Sequence, residues 1–208
     1  MNSIAEAEPP IGWRERKRRE LQNLIYDAAL DRFRAEGFAN VTVEQIATAA
    51  GIGKGTFFNH FPSKDNVLQE WYRRVTRGAL KRVSAQEFSR GRDAVLALCG
   101  ELTNRITADP VLWEAKCGAT SKSLLRKEEE DLDKEVRAFC LREIERDIAA
   151  GSSVPSADAE FLADLVLTIL TGSGHSWSIA GHSWDLTATT RRRISFVLQS
   201  LHAKSGEE

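Results

Sequence analysis

The sequence predicts an all-α chain, with an N-terminal three-helix helix–turn–helix domain and a larger helical domain behind it. Three observations predict this. Apolar residues recur at helical spacing through most of the chain. Residues 42–68 lay out two short helices joined by a tight glycine turn, then a third helix opening behind a proline. Charge is also divided: residues 11–82 carry 14 Lys and Arg against 8 Asp and Glu, while residues 83–208 carry 15 against 20.

Composition narrows the class. A chain of 208 residues with 42% hydrophobic content can bury a sizeable core. Its purely apolar runs are far shorter than the roughly 20 residues needed to cross a bilayer, so no membrane partner is expected. Pro9-Pro10 and the charged run Arg14 to Glu20 interrupt any secretory signal. Cys99, Cys117 and Cys140 are odd in number and form no CxxC, which reads as free thiols in a reducing cytoplasm. The overall charge of −1 argues against a general nucleic-acid binder. The local excess of +6 in residues 11–82, in contrast, is the electrostatic footprint that phosphate binding needs.

Residues 1–13 lack periodicity and read as a disordered tail. The first helix follows the basic run Arg14, Arg16, Lys17, Arg18 and Arg19, with Leu21, Leu24, Ile25, Ala28, Ala29 and Phe33 as its apolar stripe. Gly37 is placed to stop it, with Phe38 packing back on Phe33. The basic run reads either as a solvated helix start or as an arm for phosphate or the minor groove. Cations oppose the helix dipole at this end, which favours the arm.

Thr42 opens the second helix, and Gln45 three residues on matches a capping box. Val43, Ile46, Ala47 and Ala50 form its inner face. Gly51 supplies the turn and Ile52 plugs the gap. The third helix runs from about Lys54 to Phe61, with Phe57 and Phe61 inward and Lys54, Gly55, Thr56, Asn59 and His60 outward. Gly55 costs a helix about 1 kcal/mol against alanine, which makes sense where a bulky neighbour must come close. Pro62 ends the helix and Ser63 caps the next. Such a unit presents one small helix to the DNA major groove.

The joined string from Val41 to Lys64, behind a first helix ending Glu36-Gly37-Phe38, resembles the DNA-binding domain of tetracycline-repressor-type (TetR-like) transcriptional regulators over residues 17–70. The resemblance implies an all-helical, non-enzymatic homodimer of about nine helices per subunit that binds a palindromic operator. Such proteins are most often repressors released by a small-molecule effector and carry no cofactor. It divides the chain into a tail (1–13), a DNA-binding domain (14–64) and a ligand-binding and dimerisation domain (65–208). Position by position, it implies phosphate contacts from Thr42, His60 and Lys64 and base contacts from Gly55, Thr56 and Asn59. Two positions depart from the family pattern: Phe58 replaces a common tyrosine, and Gly53 a common serine cap.

Each of these residues has an ordinary alternative. Asn59 has the groups for a bidentate pair with adenine, or is simply an exposed polar residue. Lys54 reads as a guanine or phosphate ligand or as a solvated lysine. Thr56 touches a thymine methyl or fills the first turn, and His60 binds phosphate or packs on the first helix. Arg18 and Arg19 belong to the candidate arm. Lys64, at a helix N-terminus, is expected to bind phosphate, so that Lys64→Ala weakens binding evenly across sequences and Asn59→Ala changes base preference.

Further helical patterns cover residues 65–83, 92–107, 110–113, 121–150, 157–171 and from about 185 onward. The run 126–131 reads as a solvated face. Residues 157–171, capped by Ser156, are apolar around much of their circumference and need cover on more than one side. With the last helix they form the candidate dimer interface, through Phe161, Leu165, Ile169, Ile194, Val197 and Leu201. The alternative is a buried central helix. Residues 172–177 read as an interruption of this helix, a hinge or a widened cavity wall. Trp113, Cys117, Phe139, His175 and Trp177 are candidate ligand-lining residues, each equally readable as core. Their scarcity of charge points to an apolar or aromatic effector. The four histidines lack metal-ligand spacing with the cysteines. A DNA-binding protein without an effector, or an activator, remains the alternative reading.

Overall fold

The computed structural model describes residues 12–119, 123–151 and 158–199, apart from the side chains of 123–126 and 128. Among the described residues there are nine α-helices, one short 3-10 turn and no strand. They are α1 (Trp13–Glu36), the 3-10 turn (Phe38–Asn40), α2 (Val43–Ala49), α3 (Lys54–His60), α4 (Lys64–Ser84), α5 (Gly91–Ala108), α6 (Pro110–Ala119), α7 (Ser123–Ala149), α8 (Ala159–Ile179) and α9 (Leu186–Gln199). The chain divides into two units, Met1–Val67 and Leu68–Glu208, at a boundary inside α4.

In the first unit α1 buries Ile25, Tyr26, Ala29, Leu30 and Phe33. It stops at Gly37, whose backbone has φ 79° and whose N–H donates to the Phe33 carbonyl at 3.0 Å. The Phe38 ring then meets the Phe33 ring edge-on, centroids 5.0 Å apart. Leu24, expected on the inner stripe, is half exposed. It sits at the flank of α1, in a shallow surface groove with Ala28, Ala35 and Ala49, because the short helices beside α1 cover only a narrow strip of it.

The second unit has its core where α5 packs on α7 and α9, and α8 on the same two helices. Val95, Leu98 and Cys99 of α5, Phe139, Cys140 and Ile144 of α7, Ala163 and Val166 of α8, and Ile194 and Leu198 of α9 meet there. Each fully buried leucine or isoleucine contributes roughly 1.5–3 kcal/mol. Asp147 of α7 accepts from the first N–H groups of α5, Gly91 at 2.5 Å and Arg92 at 2.8 Å, and so caps that helix from across the bundle.

Three expectations are corrected in this unit. First, α8 does not stop at residue 171 but continues unbroken to Ile179. Local propensity makes Gly174 look like a breaker, but packing decides. A Cβ at Gly174 would lie 2.7 Å from Trp113 Cζ2, so the glycine admits the indole against the helix backbone. Trp113 Nε1 donates to the Gly174 carbonyl at 3.1 Å across this contact. Second, Ile194, expected at a dimer interface, is fully buried within the single chain, because it lies on the side of α9 that packs on α5 and α8. Third, within the run 126–131, Lys127, Glu130 and Asp131 are exposed but Glu129 turns inward to Lys116. Ser156, expected as a cap, lies outside the described residues, as does most of the tail.

Candidate nucleic-acid interface

The turn between α2 and α3 is built from local bonds. The Thr42 N–H donates to Gln45 Oε1 at 2.7 Å and the Gln45 N–H donates to Thr42 Oγ1 at 3.2 Å, closing the capping box that starts α2. At the other end the Ile52 N–H donates to the Ala47 carbonyl at 2.9 Å and the Gly51 N–H to Thr48 at 3.1 Å. This closure needs a left-handed residue, and Gly51 supplies it with φ 66°. Phe57 and Phe61 then anchor α3 inward, 0% and 2% exposed.

With Phe57 buried, α3 leaves Lys54, Gly55, Phe58 and Asn59 exposed and Thr56 and His60 half-buried. A Cβ added at Gly55 would meet nothing within 4 Å. The protein's own packing therefore gives no reason for glycine at this position. The exposed Phe58 ring stands edge-on to Phe57, 5.6 Å away. Lys54 forms an ion pair with Glu44 across the turn, which holds the Glu44 carboxyl below the usual carboxylate range. Both side chains are more than half exposed, so the pair is weak and a phosphate can compete for the ammonium.

His60 Nδ1 is buried without a hydrogen-bond partner. Burial first, and the nearby Arg18 guanidinium second, push the imidazole below its ordinary value. The same effect places Arg18 of α1 within electrostatic reach of the end of α3. Arg18 and Arg19 are both exposed, and Arg19 pairs with Glu15 one turn back at 3.2 Å. Thr42 is exposed, with its hydroxyl engaged in the cap.

Lys64 has a role that sequence reasoning missed. Its Nζ donates to the carbonyls of Phe38 at 2.6 Å, Val41 at 2.7 Å and Ala39 at 3.4 Å, and lies 4.4 Å from the Phe38 ring centre. The ammonium, with three donors, satisfies carbonyls that the 3-10 turn leaves open. Its partners lie more than 20 residues away, so no local pattern announces this clasp.

The five ligand candidates of the second unit do not converge. Trp113 is buried beside Gly174, and Cys117 is half-buried on the same helix, its thiol pushed up first by burial. Phe139 is in the core, under the Arg142 guanidinium at 5.0 Å. His175 is exposed on the outer side of α8. Trp177 stacks on His182 at 4.1 Å and donates from Nε1 to the Trp184 carbonyl at 2.9 Å. Around Trp113, the sequence reading missed Tyr72, Lys116 and Glu129, although Lys116 sits between two residues it had singled out.

Of the interface candidates, Phe161 is 61% exposed, and Leu165, Ile169 and Val197 are half-buried. Leu201 lies outside the described residues. Two further apolar side chains on the same helices stand out to solvent, Ile179 at 84% and Phe196 at 77% exposed. Among the described residues no helix is long and apolar enough to cross a membrane.

Residues 25–71, which span α2, the turn and α3, match the family model of bacterial regulatory proteins of the tetR family. Over its N-terminal domain, this chain resembles that family. The regulator TcmR of Streptomyces glaucescens is 45% identical over 56 residues, 27% of this chain and 25% of that relative. The chain thus matches about a quarter of the length of this curated relative. Two crystal structures share the TetR fold over nearly the whole chain. FadR of Thermus thermophilus, a TetR-family repressor in complex with lauroyl-CoA, has a TM-score of 0.74 at 20% identity, covering 90% of this chain and 98% of its own. FadR of Bacillus subtilis, in complex with stearoyl-CoA, has a TM-score of 0.72 at 17% identity, covering 86% and 99%.

Proposed function

We propose that this chain is a homodimeric transcriptional repressor that reads a palindromic operator in the cytoplasm and is released by a small effector with an apolar or aromatic body. The observation that carries the DNA-reading part is the exposed face of α3. Gly55 sits there at a cost of about 1 kcal/mol and is required by no neighbour among the described residues. The cost makes sense where a base pair or sugar-phosphate approaches the helix backbone. Asn59 and Lys54 flank this gap as base-edge and phosphate ligands, Phe58 offers an apolar contact to a thymine methyl, and Arg18, Arg19 and His60 lie on the phosphate side.

The dimer reading rests on Phe161, Ile179 and Phe196, whose exposure gives α8 and α9 an apolar outer face. A two-fold axis through that face would bury it and set two copies of α3 on half-sites. The acyl-CoA complexes of the two FadR neighbours support a small-molecule effector for the second unit. The test is selection of bound sequences from random duplex DNA by the full chain, repeated with candidate small molecules. The expected result is a palindrome with half-sites about 10 base pairs apart, lost in the presence of one compound class. A protein that retains no duplex even at low salt would overturn the reading. Phe161→Glu combined with Phe196→Glu should convert a sedimenting dimer to monomer.

A further inference from the structure

The second unit contains one polar cluster that the core does not explain. On α6, Lys116 extends between two aromatic rings, its Nζ 4.3 Å from the centre of Tyr72 and 5.1 Å from that of Trp113. Those rings stand 6.2 Å apart and tilted, one on α4 and one on α6. Glu129 of α7 closes the arrangement, its Oε1 2.7 Å from the ammonium, with the two side chains only 13% and 18% exposed. Asp133 lies one turn further along α7, on the same face. Trp113 is fixed by its bond to the Gly174 carbonyl, so one wall of the cluster is rigid.

Two rings and a carboxylate around an ammonium make a cation site. Its present occupant is tethered to the protein by a flexible four-carbon stem. The surroundings carry more negative than positive charge. The Tyr72 phenol is pushed up by burial first and then by Asp133 and Glu129. The Asp133 carboxyl is also raised by burial first; Glu129 and Glu130 raise it further, while Lys116 acts the other way. A carboxylate or phosphate ligand would add to that negative field, whereas a cation would relieve it. The Thr76 hydroxyl, buried one turn beyond Tyr72, lies beside the phenol.

We infer that Lys116 is a built-in stand-in for the effector, and that the effector is an organic cation whose charged nitrogen displaces the Lys116 ammonium from between Tyr72 and Trp113 and pairs with Glu129. This names the ligand class for the effector-controlled reading above, and rests on that reading only for its consequence at DNA.

The test uses the full chain and calorimetry with three probes of nearly one shape: benzyltrimethylammonium, its neutral carbon isostere neopentylbenzene, and benzylsulfonate. The cation should bind best. Lys116→Met, which empties the cage but keeps most of the stem, should tighten cation binding about tenfold, and Glu129→Gln should weaken it about tenfold. Three results each overturn the assignment: equal or tighter binding of the neutral or anionic probe, cation affinity indifferent to Lys116→Met, or no cation binding to either protein. If Lys116→Met fails to fold, as judged by thermal unfolding, Glu129→Gln decides alone, and unchanged cation affinity rejects the site. Retention of duplex DNA by the same samples is scored separately, so loss of the cation site and loss of DNA reading cannot be confused.

Discussion

The α3 and α8 regions each carry a glycine inside a helix, at the same intrinsic cost and for opposite reasons. Gly174 of α8 faces inward, and the Trp113 indole occupies the space a methyl group would need. Gly55 of α3 faces outward, with nothing within 4 Å of where its Cβ would stand. Packing explains the glycine of α8, whereas nothing among the described residues packs against that of α3, which leaves room there for a partner outside the chain.

Substitution at these two sites should therefore have opposite signs. Gly174→Ala should destabilise the second unit by about 2 kcal/mol, since a close-packed indole has to move. That corresponds to a fall of about 4–8 °C in thermal midpoint for a chain of this size, with DNA affinity unchanged at low temperature. Gly55→Ala should raise stability by about 0.5–1 kcal/mol while lowering operator affinity about tenfold, a loss of about 1.4 kcal/mol. A neutral effect on binding would remove the argument from α3. Smaller effects sharpen the map of that face. Lys54→Ala should reduce the slope of log affinity against log salt by about 1 with little loss of stability, whereas Asn59→Ala should relax preference at one base pair.

The smallest effect concerns pH. The folded imidazole of His60 is held below its unfolded value by burial and by Arg18, so its contribution to stability is present above that value and is lost on acidification. A DNA phosphate beside His60 would favour the proton and work in the other direction. Operator affinity should therefore rise on acidification below the ordinary imidazole range, and His60→Gln should flatten both profiles in unfolding and retention measurements.

The contrast also explains what was legible. The capping box, the Gly51 turn and the inward Phe57 and Phe61 are set by residues a few positions apart, so a single sequence carries them. Lys64 was read as a phosphate ligand because a helix N-terminus was visible, whereas the carbonyls it clasps lie in the α1–α2 connection. Ile194 and Phe196 are both apolar residues on α9, and only the rotation of the helix against α5 and α8 determines that one is buried and the other exposed. Gly174 reads as an interruption from local propensity alone, because the indole that explains it lies 61 positions away in the chain. Trp113 and Cys117 were singled out, yet the charge between them, Lys116, was not, because its partners sit on two other helices.

The buried thiols of α5 and α7 have a practical consequence. Burial raises Cys99 well above the ordinary thiol range and Cys140 to about 12, so neither offers a reactive thiolate while the core is closed. With half-buried Cys117 replaced by serine, an aromatic disulfide reagent would modify them only when α5 and α7 part, which makes the colour it releases a chronometer of how often this bundle breathes.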